Sequence, residues 1–226
     1  MSAPCGVPLG LCALRITRLD ATTGCVAAQP DNSFVTTDLI SLQLTPVIEA
    51  GADTTLTGGC DCVIASYRGT DKLKRWEFTI TNPKLSPALY EMMMGGGLID
   101  DGGVPVGTTW PGELSCGEAQ SSVAIEFWVK HWNGSAQDAT YPWIHHVYPQ
   151  TLWQIGQQQF QNDFAQPTLT GFSRANQCWG DGPYGDGPFG DYGQFVDISN
   201  GGFWYTAEDP PADTACDYAD VAPGTM

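Results

Sequence analysis

The sequence predicts a mainly β protein: a β-sandwich or barrel-like domain with one short flanking α-helix and an extended C-terminal arm. Gly, Pro, Thr and aromatic residues are abundant while Lys and Glu are scarce, a composition that favours strands and turns over helices. Apolar and polar residues alternate in one segment after another up to residue 174, and a single stretch carries both a helix start and a helix stop. At 226 residues the chain can bury a sizeable core, assigned here to one domain over 1–174, with 175–226 as a Gly-, Pro- and Asp-rich arm packed on it.

Residues 11–19 (LCALRITRL) read as the first strand and 20–25 (DATTGC) as its turn, with Gly24 placed for a backbone angle that other residues avoid. Between 39 and 48, Ile40, Leu42 and Leu44 alternate with Ser41, Gln43 and Thr45, and Pro46 then limits pairing, as at a sheet edge or bulge. The stretch 45–59 reads as a long Gly- and Thr-rich loop. It exceeds what a hairpin needs and fits an interaction loop or an ordinary flexible loop equally well.

From 73 to 81, Trp76, Phe78 and Ile80 alternate with Arg75, Glu77 and Thr79, which predicts a half-buried strand. Asn82-Pro83 breaks it. Ser86 as cap, Pro87 in the first turn and Gly95 to Gly97 as terminator predict a helix near 86–94. Its apolar face, Leu85, Leu89, Met92 and Met93, must lie against the Trp76–Phe78–Ile80 strand, because so short a helix is not stable alone. Residues 98–117 are broken by Gly and Pro into short strands or turns. The stretch 122–132 is the strongest later strand, with Val123, Ile125, Phe127 and Val129 on one face and Glu126, Trp128 and Lys130 on the other. WIHHVYP, TLWQIG, QQFQNDF and PTLTGFSR, between 143 and 174, continue the pattern towards roughly eight to ten strands.

The formal net charge is −16 and is unevenly spread: residues 85–226 carry only Lys130 and Arg174 against seventeen acids, the remainder of 25 after the eight in 1–84. Such a surface repels phosphate and argues against a protein that grips DNA or RNA. No apolar run is long enough to cross a bilayer and the N-terminus lacks a signal-peptide core, which predicts a soluble protein made in the cytoplasm. The eight cysteines show no CxxC pair; a metal site is not expected, and most thiols read as small buried apolar groups rather than disulfide partners. His145 and His146 point to opposite faces of a strand and do not chelate one ion. The repeated GDGP places Asp181, Asp186 and Asp191 five apart, a turn-rich loop without EF-hand spacing. No nucleophile elbow or phosphate loop is present, and nothing argues for catalysis.

The segments CGVPLGLCALRITRLDATTG (5–24), ISLQLTPVIEAGADTTLTGGCDCVIASYRGTDKLKRWEFTIT (40–81), SPALYEMMMGG (86–96), TLWQIG (151–156) and GFSRANQCWGDGPYGD (171–186) resemble the major tail proteins of long-tailed bacteriophages that infect actinobacteria. The resemblance implies a tail tube domain, six copies to a ring, and rings stacked head to tail into the conduit for genome delivery. It implies a structural virion protein without cofactor, assembled in the host cytoplasm and not an enzyme. The implied partners are further copies of itself, the tape measure, tail terminator and distal tail proteins, and double-stranded DNA that passes without specific binding; no membrane is involved.

The resemblance also makes 49–59 an inter-ring contact loop, with contacts expected at Thr45, Pro46, Glu49, Ala50, Asp53, Thr54 and Leu56. Most acids of the tail belong to exposed loops, which leaves Glu113, Glu118, Glu126 and Asp163 as candidate lumen acids past which DNA slides. Two other readings compete. A carbohydrate-binding β-sandwich on a virion or cell surface suits the many tryptophans, and a hydrolase would need a carboxylate pair that the sequence does not single out.

Overall fold

The computed structural model describes residues 5–28, 30–82, 84–112, 121–156, 158, 166–176 and 201–220. Among them the mainly β class holds: thirteen strands and one α-helix, with nine strands in one antiparallel sheet. The sheet runs in the order β2 (Ser33–Thr36), β1 (Val7–Arg18), β9 (Val123–Asn133), β11 (Trp143–Ile155), β12 (Thr168–Ser173), β6 (Lys72–Thr81), β3 (Ser41–Glu49). β10 (Ala136–Gln137) lies beside β9, and β13 (Gly202–Thr206) lies beside the first half of β11. Two hairpins stand apart, β4 (Asp53–Thr57) with β5 (Val63–Arg68), and β7 (Leu98–Asp101) with β8 (Val104–Thr108).

The registers sort the side chains into two faces. On one, Leu14 and Ile16 of β1, Ile125 and Phe127 of β9, Tyr148 and Trp153 of β11, Leu169 of β12 and Phe78 and Ile80 of β6 form the main core. Trp153 lies across Gly171 on β12, where an added Cβ would stand 2.6 Å from its ring. α1 (Pro87–Met94) fills this face. Ser86 caps it, accepting from the Leu89 amide; Pro87 opens it; and Gly95, at φ 78°, closes it by donating to the Glu91 carbonyl at 2.8 Å.

The helix departs from its predicted face. Leu85 precedes it and is exposed, whereas Ala88, Leu89, Tyr90, Met92, Met93 and Met94 are all buried, because sheet and hairpin enclose it on several sides. Its nearest neighbours are β8, β11 and β1; Phe78 and Ile80 share the core cluster but do not form the main floor under it.

The other face is buried only at the sheet centre, where Ala124, Val147, Leu19 and Val26 cluster with Trp204 of β13. Residues 201–220 are therefore built into the domain. Phe203, Trp204 and Tyr205 form a strand, and the segment beyond it covers the edge of β2: Ser33 and Ala219 exchange backbone bonds, Thr214 bonds Val35, and Asp213 accepts from the Thr37 amide and hydroxyl at 2.8 Å. Tyr218 then donates to Glu91, whose carboxylate also holds Arg18 in a two-pronged pair at 3.0 and 2.7 Å. WIHHVYP and TLWQIG prove to be one strand, β11, with a register shift between Tyr148 and Thr151. QQFQNDF, apart from Gln158, lies outside the described residues.

The cysteines overturn their expectation. Cys5, Cys60, Cys62 and Cys216 are free and exposed, Cys12, within the outer half of β1, is free and half-buried, and Cys25 is in a disulfide. No helix of the described residues is long and apolar enough to cross a membrane.

Leu89 is 1 % exposed within the core, so Leu89→Ala removes buried methyl groups and leaves a cavity. The expected loss is about 2 to 5 kcal/mol, read from the urea midpoint; a change near zero would show that α1 does not hold the core.

Candidate assembly surface

The stretch expected as a loop, 45–59, is strand. Thr45, Pro46 and Glu49 belong to β3, Ala50 lies at the elbow that follows, and Asp53, Thr54 and Leu56 belong to β4. β4 and β5 together form a two-stranded arm that continues β3 and β6 beyond the sheet. The Gly- and Thr-rich composition of 49–59 masks a strand, because 53–57 finds its partner in 63–68. Pro46 fits an outer strand. The amide of its partner Trp76 turns away, donating to Ser173 Oγ at 2.9 Å, so the proline's missing N–H falls on the open side of β3.

At the elbow Gly51 and Gly69 meet so closely that a Cβ on Gly51 would lie 2.1 Å from the Gly69 carbonyl oxygen. The Gly69 amide donates to the Ala52 carbonyl at 2.8 Å and the Gly51 amide to Asp71 Oδ1 at 2.9 Å, which fix the direction in which the arm leaves. At the tip Cys60 and Asp61 have positive φ, and Gly58 closes the turn on the Cys62 carbonyl.

Cross-strand pairing makes the arm two-faced. Thr54 lies opposite Tyr67 and Leu56 opposite Ala65 on one face; Asp53, Thr55, Ser66 and Arg68 lie on the reverse with Ile64, joined beyond the register shift by the Thr57–Val63 pair. Among the described residues nothing covers the apolar side chains of either face: Leu56 is 58 %, Val63 61 % and Tyr67 68 % exposed. Such exposed apolar side chains on a protruding ribbon make it a candidate contact surface.

Direction follows from the pairing. β6 and β11 both run antiparallel to β12, hence parallel to each other, so the arm leaves the end of the sheet where β11 begins. α1 and the β7–β8 hairpin lie at the opposite end, where β11 finishes. There Met94, Trp110, Pro111, Trp153 and Ile155 line an open cleft of about 480 Å³. Trp110, half exposed, packs edge-on against Tyr90 at 5.7 Å. Of the other described tryptophans, Trp128 and Trp153 are buried and Trp76, Trp132, Trp143 and Trp204 half-buried.

The candidate lumen acids fare differently. Glu113, Glu118 and Asp163, like Asp181, Asp186 and Asp191, lie outside the described residues. Glu126 is a correction: it is fully buried in the centre of the sheet, beside its cross-strand partner Arg15, whose Nε donates to Glu126 Oε2 at 2.6 Å. His145 Nε2 stands 3.2 Å from Glu126 Oε1, and its ring stacks on Trp128 at 4.1 Å. Alternation correctly put Glu126 on the face opposite the main core; it gave no sign that Trp204 would return from the tail to help cover that face.

Burial works against the Glu126 carboxylate, yet the Arg15 charge and the His145 contact prevail and hold its pKa below the ordinary value. Burial pushes both histidines down, His146 to about 4, so both are neutral in the fold near pH 7. On the outer part of the same face, Gln43, Thr45, Thr79, Gln154 and Thr170 make a polar strip on which Arg75 pairs with Glu77. Among the described residues no group of three or more His, Cys, Asp or Glu is placed to hold a metal ion. No protein-family model and no curated protein matches the chain.

Truncating Glu126 to Ala removes the carboxylate paired with the buried Arg15 charge and should cost about 3 to 5 kcal/mol in urea unfolding, where loss of a lumen acid would leave stability unchanged. Acid should unfold the protein early. Below about 6.5 the unfolded chain protonates His145 and His146 and the folded chain does not, so stability falls with pH, for His146 down to about 4, after which its contribution levels off. Each histidine adds a slope of up to about 1.4 kcal/mol per pH unit, and urea midpoints at pH 7, 6 and 5 read the sum.

Proposed function

We propose that this chain is a structural protein that self-assembles, as rings of six stacked head to tail, into the tail tube of a long-tailed bacteriophage. The observation that carries this reading is the β4–β5 arm. It is an amphipathic ribbon, exposed on both faces, that leaves the domain from one end of the sheet. A contact between different patches at opposite ends of one molecule repeats without closing on itself and builds a filament, which is the geometry a tube requires.

The resemblance in the sequence supplies the ring of six, the genome as cargo and the tape measure, tail terminator and distal tail proteins as neighbours. In this reading the polar strip around Gln43, Thr45, Thr79 and Thr170 is a wall suited to DNA in transit: it has hydrogen-bonding groups, and its Arg75–Glu77 pair neutralises itself. The acids on the described tail, Glu208, Asp209, Asp213, Asp217 and Asp220, are exposed, and the last four serve its local turns and contacts. The carbohydrate-binding alternative is weakened by the tryptophans, since Trp110 alone among those described is largely exposed.

Negative-stain microscopy of the purified protein should show rings or tubes. A variant in which 52–68 is replaced by a short Gly-Ser link between Gly51 and Gly69, which already touch, should keep its fold and form none. Tubes of normal length from the armless variant would remove the arm from the mechanism; specific glycan binding by a protein that stays monomeric would favour the alternative.

A further inference from the structure

Among the described residues nothing covers the apolar side chains of the arm, and nothing fills the apolar cleft at the far end of the same sheet. We propose that the cleft between the end of α1, Trp110 and Ile155 receives the arm of a second copy of this chain, with Tyr67 as the anchor. This rests on the tube reading and names the acceptor surface that the reading requires.

Two observations select a second copy as the occupant. The arm cannot serve its own cleft, because it leaves the sheet from the opposite end and the Gly51–Gly69 elbow fixes that direction. From the Glu49–Lys72 pair to the tip it reaches roughly 30 Å, enough to span a neighbour placed end to end. Charge does not oppose the contact: at the base of the arm Arg68, Lys72 and Lys74 stand among Glu49, Asp53 and Asp71, with Arg68 paired to Asp71, and β7 carries the exposed Asp100 and Asp101.

The cleft suits what the arm offers. Met94, Trp110, Pro111 and Ile155 present apolar and aromatic surface, and Trp110, tethered on one side by Tyr90, leaves its other face open to an incoming ring. Tyr67 is the most exposed large apolar side chain on the arm, and Arg68 follows it on the reverse face, so a Tyr67 seated in the cleft leaves Arg68 at the rim of the contact, where exposed acids such as those of β7 can meet it. An aromatic anchor in an apolar pocket with an oppositely charged rim is the common arrangement of a binding hot spot.

The test places a photo-crosslinking phenylalanine analogue at Tyr67 and uses a mixture of ordinary and heavy-isotope-labelled chains. On illumination of the assembled protein, the expected product joins Tyr67 of one chain to a peptide containing Trp110 or Ile155 of another. Tyr67→Asp and Trp110→Ala should each reduce the sedimenting assembly by about tenfold or more, the loss of one anchor. The urea midpoint of Tyr67→Asp should stay at the wild-type value, because Tyr67 is exposed in the single chain, and that of Trp110→Ala should fall by no more than the loss of its edge contact with Tyr90. Arg68→Asp should also weaken assembly, and adding Asp100→Arg and Asp101→Arg to the same chain should restore it.

Assemblies that form normally but crosslink Tyr67 elsewhere, or that ignore both Tyr67→Asp and Trp110→Ala, overturn the cleft assignment and leave the tube reading standing. A wild-type protein that remains monomeric at all concentrations overturns both.

Discussion

Arg15 opposite Glu126 is the contact on which the arrangement of the sheet depends. The two residues pair directly across β1 and β9, both fully enclosed, and each is the other's neutralising partner. A slip of one residue between these strands would send every side chain of β1 to the opposite face and leave two unpaired charges in the interior. The ion pair therefore adds little net stability against an apolar pair of the same size but excludes the alternative registers. Once the register is fixed, Leu14, Ile16, Ile125 and Phe127 can only face α1, and Trp128 and His145 can only face the other way.

Much of this was legible from local pattern. The helix was readable because its signals are chemical and adjacent: a serine cap, a proline in the first turn and a glycine whose positive φ ends it. The strands around Trp76–Ile80 and Val123–Val129 were readable because alternation records which side is dry. What escaped depends on residues remote in sequence. Glu126 looked like a surface acid because Arg15 lies 111 positions away, and Leu85 looked like part of a helical face because periodicity does not say where the first turn begins. The segment expected as an interaction loop takes another form. Thr, Gly and Asp in 50–59 spoke for a loop, whereas pairing with 63–68 made a strand of it.

The two ends of the sheet are chemically unlike, and this asymmetry is more informative than any single residue. One end extends a ribbon whose apolar side chains have no use within the chain; the other presents a cleft, an acidic hairpin and a single exposed tryptophan. Exposed Leu56, Val63 and Tyr67 on a protruding element cost solubility in the single chain, and the proposed assembly gives them a physical rationale.

The cover on β2 has a consequence for the order of events in synthesis. Val35 is made early, and Thr214, which satisfies its backbone, lies 179 positions further along the chain. A growing polypeptide can therefore assemble β1 and β2 long before the segment that seals their outer edge has left the ribosome. During that interval the β2 edge is an open template for any extended neighbour, and on a polysome the nearest neighbours are identical nascent chains. The last part of the domain to be translated decides when the earliest strands stop being hazardous to one another, so a stall or truncation anywhere before residue 213 releases a chain with that edge still exposed.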